Sequence, residues 1–336
     1  APSSWQWNDF VTTHPKATIF HHPAWAKLLA ECYGFRPFVL VTYDQSGNLS
    51  AGQPFLVVRS LLTGYRWISL PYSDYCNPLY TDPSSLERLT DKLVQLSQNK
   101  KTPRLSVRWN LPARSSITSY SHYALHQLAL GTSAEWQEQR LSRMHRKNIR
   151  AAQRNGVRVE QGTSLEHTEE FYRLQLQTRH RKGLPAQPWR FFRLLKELVF
   201  DQDLGFILLA YREEECLAGM VCLHWQQLLM CKYAASREEA LKLRPNNLLF
   251  WTAIRWGIEH GYEVLDMGRS ALENTGLREF KTRWGATEQP LVYSTLAGSA
   301  TEKRDGHIMR VLNTVIRNSP VWMSRITGEF LYRHFD

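Results

Sequence analysis

The chain has 336 residues, of which 43% are hydrophobic and 22% charged, and a formal net charge of +11. That apolar share is ample for a packed core and excludes an extensively disordered chain, and the length makes two packed halves the natural expectation. No apolar run reaches the length of a membrane span, and the N-terminal APSSWQWNDF lacks the basic-then-apolar layout of a signal peptide.

From the N-terminus, His21 to Tyr33 reads as a short helix with Pro23 in its first turn and Gly34 as its stop. Phe38 to Tyr43 and Leu49 to Ser60 read as a hairpin around Asp44-Gln45-Ser46-Gly47, and Tyr65 to Leu70 as a third strand. Pro71 to Pro78 is too rich in proline and turn formers for regular structure. Ser84 to Gln98 is then a helix, with strands at Arg104 to Trp109 and Tyr123 to Ala129.

The second half repeats this order. Helices are expected at Tyr172 to Thr178 and Trp189 to Phe200, then strands at Gly205 to Tyr211, Cys216 to Trp225 and Leu228 to Ala235. A helix over Asn246 to His260, a strand over Val264 to Met267, a helix over Leu277 to Trp284 and a strand over Leu291 to Thr295 complete it. Tyr43…Leu49-Ser50-Ala51-Gly52 mirrors Tyr211…Cys216-Leu217-Ala218-Gly219, with a longer first turn. Three antiparallel strands, helix, strand, helix, strand, written twice, argue for a duplicated α+β domain.

Charge is concentrated rather than spread. Arg140, Arg143, Arg146, Lys147, Arg150, Arg154 and Arg158 follow one another with no acid between them, and Arg179-His180-Arg181-Lys182 adds a second cluster. Such fields favour polyanionic partners, although a solvated basic helix is the plain alternative. The face Trp136, Arg140, Met144, Ile149 is weakly apolar, so this segment is expected on the surface with its arginines directed to solvent or ligand. Ile308 to Tyr332 has helical periodicity broken at Pro320 and is expected to pack back on the domain, with contact to a membrane face or partner the other option. Five cysteines (Cys32, Cys76, Cys216, Cys222, Cys231) lack metal-ligand spacing, as do the twelve histidines. Free buried thiols, no metal and a cytoplasmic location are therefore expected.

The stretch from Leu243 to Gly285 is where chemistry is most expected. Pro245 suits a first helical turn, with Asn246 or Asn247 as candidate caps. Val264 to Gly268 reads as a buried strand delivering Asp266 and Arg269 at its end, where α/β proteins place reactive groups. Asp266 as a mere turn cap is the alternative.

Several short motifs in this order resemble the FemAB-like branch of the GNAT acyltransferase fold, the peptidoglycan interpeptide-bridge aminoacyltransferases and their relatives. They are Trp25-Ala26-Lys27, the arginine-rich stretch ending Asn155-Gly156-Val157, Arg179-His180, Tyr233-Ala234-Ala235-Ser236, Asp266-Met267-Gly268 and Phe280-Lys281. The resemblance runs from about His22 to Tyr293. It implies two tandem GNAT-like domains, each a mixed, mainly antiparallel sheet with flanking helices. These would span residues 1–133 and 159–298, joined by a basic connecting helix at 134–158 and followed by a helical tail at 299–336.

In that family an acyl group moves from aminoacyl-tRNA to an amine on a cell-wall precursor peptide. The resemblance implies that Lys27 and Arg179, with Arg181 as competitor, hold the precursor's diphosphate, for which forked cationic donors are suited. It also implies that Lys281 stabilises the tetrahedral oxyanion and Phe280 shapes the channel, with Tyr233 and Asp266 lining the same cleft. Lys27 as a snorkelling surface lysine and Lys281 as an ion-pair partner of Glu279 or Asp266 are the alternatives.

Two departures stand out. Asn110 occupies the place where some relatives carry an aspartate, and an amide cannot take a proton, so the base would be Asp74, Asp266 or a substrate group. The segment Lys242-Leu243-Arg244-Pro245-Asn246-Asn247 has no glycine, which disfavours acyl-CoA, although Arg244 and the helix N-terminus suit a phosphate. The expected activity is therefore transfer of an aminoacyl or acyl group to an amine of a phosphorylated cell-envelope precursor at the inner face of the membrane. No resident cofactor or DNA partner is expected. The donor is aminoacyl-tRNA, met through the basic patch Arg143, Arg146, Lys147, Arg150 and Arg154. An acyl-CoA-dependent N-acyltransferase is the first alternative, and an RNA-binding protein on a degenerate transferase fold the second.

Overall fold

A computed structural model of the protein describes residues 4–60, 64–296, 316–320, 325 and 328. The chain divides into two compact units, one built on residues 1–124 and 290–302, the other on residues 125–289 with part of the C-terminal segment.

The first unit opens with α1 (Ser4–Thr13), which the sequence reading did not anticipate, and α2 (Pro23–Tyr33). His22 caps α2 by accepting from the Ala24 N–H, and Gly34 ends it at φ 73°, a conformation that glycine reaches without steric cost. Strands β1 (Arg36–Tyr43), β2 (Leu49–Ser60) and β3 (Gly64–Ile68) form an antiparallel meander, with the short β4 (Leu79–Tyr80) on β2. Helix α3 (Pro83–Ser97) crosses over to β5 (Arg104–Val107), which pairs parallel to β3. The core joins Ala51 and Phe55 of β2, Leu89 and Leu93 of α3, and Leu105 and Val107 of β5.

Strand β6 (Ile117–Ala129) leads into the second unit. There α4 (Ala134–Arg140), α5 (Arg143–Arg154), β7 (Val157–Gly162), α6 (Leu165–Arg181) and α7 (Trp189–Leu198) precede a second meander. It consists of β8 (Gly205–Arg212), β9 (Glu215–Trp225) and β10 (Leu228–Ser236), with β7 added to its edge against β8. Helix α8 (Pro245–Glu259) crosses to β11 (Val264–Ala271), parallel to β10, followed by α9 (Thr275–Thr282) and β12 (Thr287–Leu296). The core gathers Leu249 and Ile254 of α8, Met220 and Cys222 of β9, Leu265 and Met267 of β11, and Trp284.

The duplication holds at the level of register. Val41 faces Gly52, Thr42 faces Ala51, and a bulge then sets Tyr43 against Leu49. In the second unit Leu209 faces Gly219, Ala210 faces Ala218, and a bulge sets Tyr211 against Cys216. The copies differ after the parallel strand: no helix lies between β5 and β6, whereas α9 lies between β11 and β12. Pro112 lacks an N–H, and the Leu111 N–H is bound to Ser294 Oγ at 3.0 Å, so neither is available to a helical turn there.

Residues 134–158, expected as a connector between domains, lie wholly inside the second unit as two helices and the start of β7. Leu141 breaks them at ψ 144°, and Ser142 caps α5 through the His145 N–H. The buried face of α5 is His145, Ile149 and Ala152, which packs on α8, while Trp136 and Met144 are exposed. None of the five cysteines forms a disulfide, and four are buried. Among the described residues no helix is long and apolar enough to cross a membrane, and no cluster of histidine, cysteine, aspartate or glutamate has the grouping of a metal site. The helix expected over Ile308 to Tyr332 falls largely outside the described residues.

Candidate active site

Strands β10 and β11 pair over only three residues, Leu228 to Met230 against Val264 to Asp266. Beyond Met230 the two strands part, and a bulge at Cys231 to Tyr233 turns β10 further along its pairing with β9. Because β10, α8 and β11 form a parallel crossover, the wedge opens at the C-terminal ends of both strands, beside the start of α8.

The wall of this wedge on β11 has unusual backbone. Gly268 sits within the strand at φ 71°, and its N–H donates to Asp266 Oδ1 at 2.7 Å. Asp266 Oδ2 accepts from Gln127 Nε2 at 3.4 Å, and the aspartate is 0% exposed. Asp266 therefore fastens the kink in β11 and holds β6 to it. The carboxylate is thus engaged with the backbone of the kink and with β6 rather than presented to solvent.

Asn274 caps α9 through the Leu277 N–H, and Lys281 is the buried residue of that amphipathic helix, at 4% exposure. Its Nζ donates to the carbonyl oxygens of Gly268 at 2.8 Å and Arg269 at 3.2 Å. Glu279, an expected ion-pair partner, is instead paired with Arg283 at 2.8 Å. The ammonium is thus fixed two residues past the last β10–β11 pair, against the backbone where the wedge opens. Phe280, beside it, makes edge contacts with Phe250 and His145 at 5.3 and 5.7 Å.

Two buried histidines flank this region, neither of which the sequence reading singled out. His126 on β6 hydrogen-bonds through Nε2 to Glu288 Oε2 at 2.9 Å, and Glu288 forks onto Arg278 at 2.6 and 3.0 Å. Burial is the main reason the His126 pKa lies below its ordinary value, with the Lys281 charge adding to it. Arg278 foremost holds the Glu288 carboxyl down at about 2. His145 stacks on Trp284 at 4.1 Å and accepts the Asn247 amide at 2.9 Å, with burial bringing its pKa to about 4. The contacts of His126 with Glu288 and of His145 with Asn247 and Trp284 join residues more than a hundred positions apart, for which the sequence offers no local signal.

Other expected residues are distributed as follows. Tyr233, just past the point where β10 leaves β11, packs its ring against Phe191 and Phe192. Arg244 stands at the N-cap of α8 at φ 62° with no side-chain cap, so neither asparagine plays the expected capping part. Asn247 turns to His145 and Asn246 is half-buried. Arg269 is half-buried on β11. Arg179 and Arg181, also in the second unit, bond to the carbonyls of Pro185 and Ser236 at 3.0 and 3.1 Å. Arg143, Lys147, Arg150 and Arg154 are exposed and Arg146 half-buried. Lys27 and Asp74 belong to the first unit. Lys27 is an exposed lysine 3.8 Å from Glu31, while Asp74 is buried in its loop with its carbonyl accepting the Tyr293 hydroxyl at 2.5 Å.

Residues 139–282 match the family model of the acetyltransferase (GNAT) domain. Comparison with curated protein sequences finds no match. Among solved structures the chain is similar to FemX, at 13% identity and a TM-score of 0.69, covering 93% of this chain and 99% of that one. It is similar to the C-terminal domain of a putative lysylphosphatidylglycerol synthetase from Agrobacterium fabrum, at 14% identity and a TM-score of 0.59, covering 93% and 96%. It is also similar to a tandem GNAT protein of the clavulanic acid biosynthesis pathway, at 10% identity and a TM-score of 0.52, covering 88% and 95%. The fold is that of tandem GNAT proteins, and the second unit contains an acyltransferase domain of that type.

Proposed function

We propose that this chain, whose residues 139–282 are an acetyltransferase domain of the GNAT type, transfers an aminoacyl group from an RNA ester to an amine of a phosphorylated cell-envelope precursor. The observation that supports this reading best is the buried ammonium of Lys281 at the mouth of the β10–β11 wedge. In such a reaction the amine attacks the ester carbonyl carbon, the C–N bond forms, and negative charge collects on the carbonyl oxygen. A fixed cation in a dry site stabilises that oxyanion at no reorganisation cost. Collapse expels the ribose hydroxyl, which leaves with the proton lost by the amine.

We assign the proton lost by the amine to a group of the substrate, the leaving hydroxyl or a phosphate, because the Asp266 carboxylate is enclosed. Exposed Arg143, Lys147, Arg150 and Arg154 supply the field for a polyanionic donor. The likeness to FemX and to a lysylphosphatidylglycerol synthetase domain supports an envelope acceptor.

A second reading, with acyl-CoA as donor, is favoured by one feature: α8 begins without a side-chain cap, with exposed Arg244 at its head. That arrangement suits a phosphate. A thermal-shift titration against acetyl-CoA, a nucleotide-linked muropeptide and charged tRNA separates the two. Stabilisation by the muropeptide and tRNA but not by acetyl-CoA is expected. Stabilisation by acetyl-CoA alone would overturn the aminoacyl reading.

A further inference from the structure

A cavity of about 430 Å³ in the second unit shares Gln127 and Trp284 with the surroundings of the site described above but is lined by neither Asp266, Phe280 nor Lys281. Its size falls within the roughly 300–1,000 Å³ of small-molecule sites. Its walls come from the end of β6 (Gln127, Leu128), from α4 (Trp136, Gln137, Arg140) and from Trp284.

The cavity is built rather than incidental. Trp136 is 43% exposed, an uncommon condition for so large a ring, and the Arg140 guanidinium lies over it at 4.5 Å. The indole is seated on Gly131, where an added Cβ would meet the ring at 2.1 Å. Gln137 is 97% buried and its Oε1 accepts the Gly131 N–H at 2.9 Å, which locks the 130–133 loop against α4. That bond leaves the Gln137 amide NH₂ with no partner among the described residues, on the cavity wall. An aromatic ring, a planar cation and a donor amide are the complement of a flat heterocycle with an acceptor on its edge.

The charge beside it tells what the heterocycle carries. Arg146 is bound to the carbonyls of Glu138 and Gln139, and Arg150 lies 3.8 Å from Glu138, so both reach α4 beside Arg140. Arg150 thereby offsets one of the two acids of α4, the other being Glu135. Lys147 and Arg154 continue the exposed basic row along α5, which has no acid. A neutral ring would have no use for this field, whereas a ring joined to phosphates would.

We infer that the cavity between β6 and α4 is a nucleotide site, taking a nucleobase against the Arg140 guanidinium where Trp136 backs it, with its phosphate on the neighbouring Arg146 and Arg150. The same chemistry is offered by a free mononucleotide and by the end of a single RNA strand. In its strand-end form the inference rests on the proposed RNA donor, with which it shares Arg150, Lys147 and Arg154; it does not involve Lys281.

The test is direct binding, by calorimetry, of AMP, UMP and an uncharged five-nucleotide single-stranded RNA to the full chain. Wild type is compared with Trp136→Ala and Arg140→Gln, both at exposed positions. Dissociation constants should rise about tenfold or more in each variant, the loss expected for one stacked base, and Arg140→Gln, at an exposed position, should melt with wild type. Tighter binding of the oligonucleotide with steep salt dependence would identify a strand end, and equal binding a free nucleotide; either supports the site. Absence of binding by wild type, or equal binding by the variants, would overturn it. Because no acyl group is present, its failure is distinct from any failure of the transfer reaction.

Discussion

The ammonium of Lys281 and the carbonyl of Gly268 are 2.8 Å apart, and the N–H of the same glycine is bound to Asp266 at 2.7 Å. One residue in a left-handed conformation thus aims its carbonyl at the lysine while its amide is anchored from the other side. The position of the charge is consequently set by the kink in β11 as much as by α9.

Lys281→Met is expected to lower the turnover rate by about 10²–10³-fold, the range for loss of one preorganised oxyanion donor. Affinity for the phosphorylated acceptor should stay nearly intact. Steady-state kinetics alongside acceptor binding check this; an unchanged rate rules out the oxyanion role.

Gly268→Ala places a Cβ on a residue at φ 71°. The left-handed conformation costs roughly 1–2 kcal/mol for such a residue, and relief of the kink would move the carbonyl that holds Lys281. Urea denaturation should show a lowered midpoint, and turnover should fall together with it. A variant as stable and as active as wild type would mean that the kink is dispensable.

The Glu288 carboxyl is held at about 2, below its ordinary 4.5, by Arg278 foremost and then by His126. A depressed carboxylate stabilises the fold above its unfolded pKa, and that contribution is lost as pH falls from about 4.5 towards about 2. Glu288→Gln should therefore melt below wild type at pH 7, with the gap closing across that acid window. A gap that is constant with pH contradicts the pairing.

His145 titrates near 4, lowered first by burial and then by Arg283. A base lowered on folding stabilises the fold above 6.5, and this is lost as pH falls towards 4. His145→Phe should flatten the melting curve between those values. At pH 7 it should cost about 1–3 kcal/mol, because the buried Asn247 amide loses its acceptor. Identical pH profiles for variant and wild type would show that His145 does not titrate there.

Arg179→Ala is expected to weaken binding of the diphosphate-bearing acceptor by about 10–100-fold, as loss of a hydrogen bond to a charged group does. Isothermal titration with that acceptor provides the check, and unaltered affinity would remove Arg179 from the diphosphate site.

Much of the architecture is written locally. The first hairpin is visible because Asp44, Gly47 and Asn48 interrupt runs of Val, Leu and Tyr, while the turns of the second meander are Glu213-Glu214 and Gln226-Gln227. The paired motifs ending Ala51-Gly52 and Ala218-Gly219 mark a repeat that the bulge registers bear out. Pro23 and Gly34 delimit α2 as expected. What escaped depends on distant partners. Helix α4 ends at Leu141 rather than running on into the basic segment, and the value of Asn247 lies in His145 rather than in a cap. The pairing of Glu288 with His126 follows from strand order that no window of sequence contains, whereas the i,i+4 pair of Glu279 and Arg283 is open to a local reading.

The route of β12 has a consequence for synthesis. Ser294 to Leu296 supply the neighbour that β5 needs at Leu105 to Val107, so the first unit is not finished when its first 124 residues leave the ribosome. During translation of everything in between, the edge of β5 stands unpaired, with its backbone donors and acceptors open to strands of other chains. The second unit must be made before the first can close. A truncated product would expose a sticky β-edge instead of yielding an independent N-terminal module.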